Sequence, residues 1–291
     1  MTSQDSPFVL EWSRYCLNLE ERTHIMGVLN VTPDSFSDGG LFFPHDKAIE
    51  HGLAIAGDGA DIIDVGGEST RPYAEGTSEL EEMDRVIPVI EALHKELNIP
   101  ISIDTTKASV AREALKAGAS IINDIGALRF DRAMVDVAAE GDVPLILMHM
   151  KGRPRTMQDS PTYSHLIPEI MDFLQAAVHQ AIEGGVRRDL IIIDPGIGFG
   201  KTADHNLEII RDLSHFHSLN QPILFGCSRK AFIGHILGKE PRHRDTGTMA
   251  AVTAGVLNGA HIVRVHNVSM AVETVKVADA LKRGRSITSH S

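Results

Sequence analysis

The chain has 291 residues, of which 43% are hydrophobic, 23% charged and only 5% aromatic. Ordinary apolar content excludes bulk disorder, and Gly and Pro are too few for a collagen-like chain. With 28 Lys and Arg against 39 Asp and Glu the net charge is −11, which argues against a nucleic-acid partner that calls for a basic face.

Residues 1–23 read as an N-terminal extension packing on the main domain. They show no basic stretch leading into an apolar one, so no secretory signal is expected. Cys16 and Cys227 make no disulfide framework, and apolar runs stay too short for a membrane span. A cytoplasmic location is the expectation.

Strands are predicted at His24 to Asn30, Asp61 to Gly66, Pro100 to Asp104 and Ser120 to Asp124. Four more follow at Pro144 to His149, Leu190 to Asp194, Pro222 to Gly226 and Ile262 to His266. All are short and nearly all apolar, as a parallel strand buried on both faces is. Helices are predicted at 46–57, 78–97, 107–117, 131–140, 163–183, 205–213, 246–257 and 270–282. The second opens on Ser78 and Glu81 in capping-box spacing and places Leu80, Met83, Ile87, Ile90 and Leu97 on one face. Gly118, Gly141, Gly184 and Gly259 stand where helices are expected to stop. The alternation implies an α/β fold, a single (β/α)8 TIM barrel over 24–282 with a polar tail at 283–291. A doubly wound open sheet is the alternative, because periodicity does not show closure.

In such a barrel the chemistry sits at the carboxyl ends of the strands. Those ends read Asn30, Asp64, Asp104, Asn123 with Asp124, His149, Asp194, Ser228 to Lys230, and Arg264 with His266. One Asn or Asp there would be an ordinary turn former. Polar groups on nearly every strand, converging on one face, point to a site. The segment DPGIGFGKT at 194–202 matches neither phosphate loop, since Pro195 stands where a P-loop needs Gly. Its glycines are expected to let the chain pass close to a ligand held by Asp194. Two long loops leave the same face: NVTPDSFSDGGLF at 30–42, with Asp34 and Asp38, and GGESTRP at 66–72. Neither metal-cage spacing among the histidines nor a GxSxG elbow is present, so no covalent nucleophile is expected.

The blocks IMGVLNVTPDSFSDGG, IIDVGGESTRP, ISIDTTK, IINDI, LILMHMKG, IIIDPGIGFGK, SRKAFIG and RVHNV together resemble the dihydropteroate synthase family over nearly the whole chain. The resemblance implies that 7,8-dihydropterin-6-ylmethyl diphosphate and para-aminobenzoate combine to 7,8-dihydropteroate with release of pyrophosphate. It places Asp104, Asn123, Asp194 and Lys230 in the pterin pocket and makes Asn30 the Mg²⁺ ligand. Thr70, Arg264 and His266 match contacts to substrate and pyrophosphate. Phe36, Arg71, Pro72 and the Lys230 stem match the walls around para-aminobenzoate. The implied mechanism is SN1-like, with Lys230, Arg264 and His266 among the catalytic groups and Asp34 and Asp38 favouring the cation. A homodimer and sensitivity to sulfonamides are implied as well.

Two positions depart from the family's pattern: Ala231 lacks a hydroxyl or basic side chain, and Asn267 replaces the commoner Asp. The rival readings are a folate-binding barrel methyltransferase and a catalytically idle pterin-binding paralogue. NVTPDSF, STRP and SRK are features the methyltransferase does not need.

Overall fold

The computed structural model describes residues 8–32, 45–69, 76–152 and 156–284. A hairpin of β1 (Val9–Trp12) and β2 (Tyr15–Asn18) comes first, followed by β3 (His24–Asn30) and α1 (His45–Gly57). Then β4 (Ile62–Gly66), α2 (Glu79–Glu96), β5 (Ile101–Asp104), α3 (Ala108–Ala117), β6 (Ile121–Asp124) and α4 (Met134–Gly141) alternate. The second half runs β7 (Leu145–Met148), α5 (Leu166–Glu183), β8 (Ile191–Asp194), α6 (Ala203–Arg211) and β9 (Leu224–Phe225). It ends with α7 (Ala231–Leu237), α8 (Asp245–Leu257), β10 (Ile262–Val265) and α9 (Val268–Arg283).

Strands β3 to β10 form one parallel sheet in the order β8-β7-β6-β5-β4-β3-β10-β9. The two ends meet through a parallel bridge between Ile193 and Ile223, and Ile193 N–H donates to the Pro222 carbonyl at 2.9 Å. The sheet is therefore a barrel rather than an open doubly wound sheet. Its strands read as unbroken apolar runs because helices cover one face and the barrel interior the other. Ile62, Ile63, Ile121, Ile122, Leu145, Ile146 and Ile191 to Ile193 are all fully buried. Each contributes roughly 1.5–3 kcal/mol by leaving water.

The hairpin lies at the amino end of the barrel. Phe8 stands edge-on to His261, just before β10, and Arg187, ahead of β8, donates to the Glu11 carbonyl. Leu10, Trp12, Leu17 and Leu19 are buried in the same core as the barrel residues. The opposite, carboxyl end is left for the site.

Local details differ from the sequence expectation. In α2 the buried face is Glu82, Val86, Val89, Ile90 and Leu93, while Leu80 is 76% exposed. Lys107 pairs with the buried Glu82, which is how a charge takes the place of an apolar residue. Ser78 caps by accepting from Glu81 N–H at 3.3 Å, but the Glu81 carboxylate goes to Arg85, so the capping box is half formed. A complete box forms instead at Thr202 and His205, which starts α6 at Ala203. Gly118 ends α3 in the left-handed region, whereas Asp142 caps α4. At the other two ends the positive φ falls on Gly185 rather than Gly184, and on Gly259, one residue beyond the Asn258 cap. The strand expected from Pro222 shrinks to Leu224–Phe225. Residues 285–291 of the expected tail lie outside the described residues.

Candidate active site

Asn30, Asp104, Asn123 and Asp194 each sit at or beside the carboxyl end of β3, β5, β6 and β8. Register brings them level: Asp104 faces Asn123 across one strand pair, and Met148 faces Asp194 across another. Lys230 follows β9 and caps α7, with its ammonium 4.0 Å from the centre of the Phe199 ring. Arg264 points inward from the middle of β10. Its Nε donates to Asp64 Oδ2 at 2.6 Å and its Nη2 to Asp104 Oδ2 at 2.7 Å. Asn123 Nδ2 donates to the same Asp64 oxygen at 3.1 Å. A side chain at Gly226 would lie 3.8 Å from Asp194 Oδ2 and 3.9 Å from Arg264 Cβ, so those groups share one floor.

The acceptors and cations gathered here are matched by an apolar wall. Ile125, Met148, Met150, Met157 and Phe199 form a second buried cluster, separate from the main core, with Phe130 packed on it. Carboxylates, an amide, two cations and an apolar wall are what a flat heterocycle with ring N–H donors and a carbonyl needs.

Burial sets the ionisation of this floor. It pushes Asp194 up to about 6, against the Gly196 N–H hydrogen bond and the charges of Lys230, Lys201 and Arg264. It pushes Asp104 up to about 7, opposed by Arg264 and helped by Asp64 and Glu82. Lys230 is lowered to about 8 by burial and by Arg264, while Asp194 and Asp104 resist. Burial opposes the Arg264 charge, yet Asp64 and Asp104 hold that guanidinium above its usual range. His266 is lowered to about 3 by burial and by Arg264, and is neutral at pH 7. Its ring Nδ1 lies 2.9 Å from Ser228 Oγ, which also accepts the His266 backbone N–H.

Several sequence-level candidates stand elsewhere. Asp124 accepts from Gly126 and Leu128 N–H at 2.7 Å each and holds a turn. His149 is buried against Lys201 and Phe173, behind the site. Two glycines of 196–200 let the chain pass close to other backbone: a Cβ at Gly196 would strike the His149 carbonyl, and one at Gly200 the Lys151 carbonyl. Only Gly198 faces a site residue, with its missing Cβ 3.0 Å from Lys230 Cδ. Asp34, Phe36, Asp38, Thr70, Arg71 and Pro72 lie outside the described residues.

Lys201 and the wall residues carried no sequence signal of their own, and Asp64 counted only as a strand end. Lys201 is fully buried, and its Nζ reaches His149 Nδ1 at 2.9 Å, Gly196 O at 2.9 Å and Phe199 O at 3.1 Å. It pins the loop that carries Phe199. Asp64 and Arg264 did leave a trace, as opposite charges each set in the middle of an apolar strand.

The pattern of the pterin binding enzyme family matches residues 26–266. The dihydropteroate synthase of Bacillus subtilis is 50% identical over 277 residues, 95% of each chain. This chain belongs to the dihydropteroate synthase family. The Yersinia pestis dihydropteroate synthase, solved with a sulfonamide drug, superposes with a TM-score of 0.90 at 40% identity, covering 95% of this chain and 100% of that one. The Xanthomonas albilineans dihydropteroate synthase, solved with 4-aminobenzoic acid, gives 0.89 at 41% identity, covering 95% and 99%. The fold is therefore the barrel of that family, and the chain is a transferase of folate synthesis. Among the described residues no helix is long and apolar enough to cross a membrane.

Proposed function

We propose that the chain condenses 7,8-dihydropterin-6-ylmethyl diphosphate with para-aminobenzoate by ionisation. The observation that carries this reading is the floor made by Asp104, Asn123, Asp194 and Lys230 beside the Phe199 wall. The carboxylates and the Asn123 amide oxygen accept from the pterin ring N–H and amino groups, and Lys230 donates to its carbonyl.

The C–O bond to the diphosphate breaks with its electron pair leaving on oxygen. The pterin methylene cation that remains is resonance-stabilised, and the arylamine lone pair then forms the C–N bond and sheds a proton. No nucleophile of the chain is needed. Asp104 and Asp194 favour the cation electrostatically from the floor, and Arg264 keeps Asp104 oriented. With Nδ1 engaged by Ser228, the His266 ring keeps its second nitrogen for the leaving anion. We assign Asp34 and Asp38 to the cation, and Thr70 to the substrate. Phe36, Arg71, Pro72 and the Lys230 stem we assign to the benzoate wall.

The donor set suits Mg²⁺. Asn30, half-buried at the end of β3, offers one hard amide oxygen, and the described residues hold no group of three His, Cys, Asp or Glu able to cage a metal. Mg²⁺ takes few protein oxygens and completes its shell with water and substrate phosphate, so Asn30 would hold it against the diphosphate. When bound, the ion would neutralise charge on the departing pyrophosphate.

We infer a homodimer as well, with Leu257, Met270, Val277 and Leu281, 38–66% exposed on α8 and α9, as apolar surface for a second copy. Two free thiols, Cys16 and Cys227, accord with a reducing cytoplasm. The test is to mix protein, Mg²⁺ and both substrates and to follow pyrophosphate and dihydropteroate. The expected result is one product for each para-aminobenzoate consumed, with sulfonamide competing against para-aminobenzoate. No product, or sulfonamide inhibition indifferent to para-aminobenzoate, would contradict it.

A further inference from the structure

Behind the mouth, the loops after β9 and β10 are tied together by one carboxylate, Asp245, whose hydrogen bonds go to Arg229 and Asn267 and whose charge also acts on His266. Arg229 lies between Ser228 and Lys230 with φ +57, a left-handed conformation that a non-glycine residue holds only when its surroundings enforce it. Three contacts enforce it. Its N–H donates to Thr248 Oγ1 at 3.0 Å, and its carbonyl accepts from Arg244 Nη1 at 3.0 Å. Its guanidinium forks onto Asp245, with Nε to Oδ1 at 2.7 Å and Nη2 to Oδ2 at 2.9 Å.

Asp245 Oδ2 also accepts from Asn267 Nδ2 at 3.0 Å, while Asn267 Oδ1 accepts from Met270 N–H and caps α9. The segment 228–230 and the segment 266–267 are thus joined twice. Ser228 to His266 is the inner tie, and Arg229 to Asp245 to Asn267 is the outer one. Exposed ion pairs contribute little, but this one is bidentate, with its side chains 32% and 19% exposed. Hydrogen bonds from Arg229 and Asn267 hold the Asp245 carboxyl below the usual carboxylate range.

We propose that Asp245 is a positioning residue: through Arg229 and Asn267 it fixes Lys230 and His266 relative to each other. It acts at the seam between the pterin floor and the leaving anion. The proposal rests on the assignment of Lys230 and His266 as substrate contacts.

A charge relocation tests it. D245N removes the carboxylate, N267D adds one across Asp245 from Arg229, and D245N/N267D moves it from 245 to 267. D245N is expected to raise the KM for the diphosphate substrate by about tenfold, equivalent to one ordinary charge-assisted hydrogen bond, with a smaller change in kcat. The double variant is expected to recover at least half of the lost kcat/KM, because the amide at 245 can accept from Arg229 and donate to the carboxylate moved to 267, which keeps the chain of contacts charged. A merely structural role would show in the melting temperature and would not be rescued in KM by the moved charge. D245N within twofold of wild type, or a double variant no better than D245N, would overturn the proposal. Should D245N fail to fold, a folded and active double variant supports the relay, and an unfolded one overturns it. Titrating a pterin analogue into Lys230→Met separates the two readings. Unchanged affinity there removes the assignment beneath the proposal and the proposal with it. Lost affinity there with an unaltered D245N overturns the positioning role alone.

Discussion

Arg264 and Asp64 meet at 2.6 Å although β3 lies between their strands, and the same guanidinium continues to Asp104 on β5. One arginine thus braces three strands from inside the barrel mouth. Asp64 is fully buried, so removing its charge leaves a desolvated cation with half its compensation. Asp64→Asn is expected to lower the unfolding free energy by roughly 3–5 kcal/mol. Urea titration followed by circular dichroism measures it, and a loss below about 1 kcal/mol would show the brace to be dispensable.

Pterin affinity is expected to be bell-shaped in pH. Asp104 and Asp194 must be ionised to accept ring N–H groups, and their protons leave near pH 7 and 6. Affinity therefore falls as pH drops through those values. Lys230 must keep its proton to donate, and it loses that proton near pH 8, so affinity falls again above it. Lys230→Met should lose the alkaline limb and keep the acid one. Calorimetric titration of a pterin analogue from pH 5 to 9 is the measurement, and a flat profile would contradict the assignment.

The buried Nζ of Lys201 lies against four groups, His149 Nδ1 and the carbonyls of His149, Gly196 and Phe199. Lys201→Met keeps the volume and removes every donor. Stranding a buried acceptor costs about 1–3 kcal/mol, so a stability loss of at least about 3 kcal/mol is expected, with weaker pterin binding through a displaced Phe199. Unaltered stability and pterin affinity would mean that the 196–200 loop is held by other contacts.

The barrel was legible because its strands are buried on both faces, which makes each an apolar run closed by a polar residue. Asn30, Asp104, Asn123 and Asp194 stood out for that reason. What depends on a distant partner did not. The burial of Glu82 needs Lys107, and nothing in the helical period of α2 announces it. The β1–β2 hairpin was hidden because Ser13, not Gly, takes the positive φ in its turn. The shortening of β9 follows from His261, whose Nδ1 takes the Ile223 N–H. Lys201 reads from sequence as one more residue after a glycine-rich loop, since only the fold brings His149 to it.

The pterin floor is the central claim, and titrating a pterin analogue into wild type, Asp104→Asn and Asp194→Asn tests it most directly. A carboxylate that accepts from a buried N–H is worth roughly 1–3 kcal/mol, so each variant should bind more than about tenfold more weakly. Asp104→Asn also takes one of the two carboxylates paired with Arg264, so its stability should fall as that of Asp64→Asn does, and circular dichroism checks that each variant is folded before the titration. Wild-type affinity in both variants would contradict the account, and the pterin would have to bind away from the strand ends.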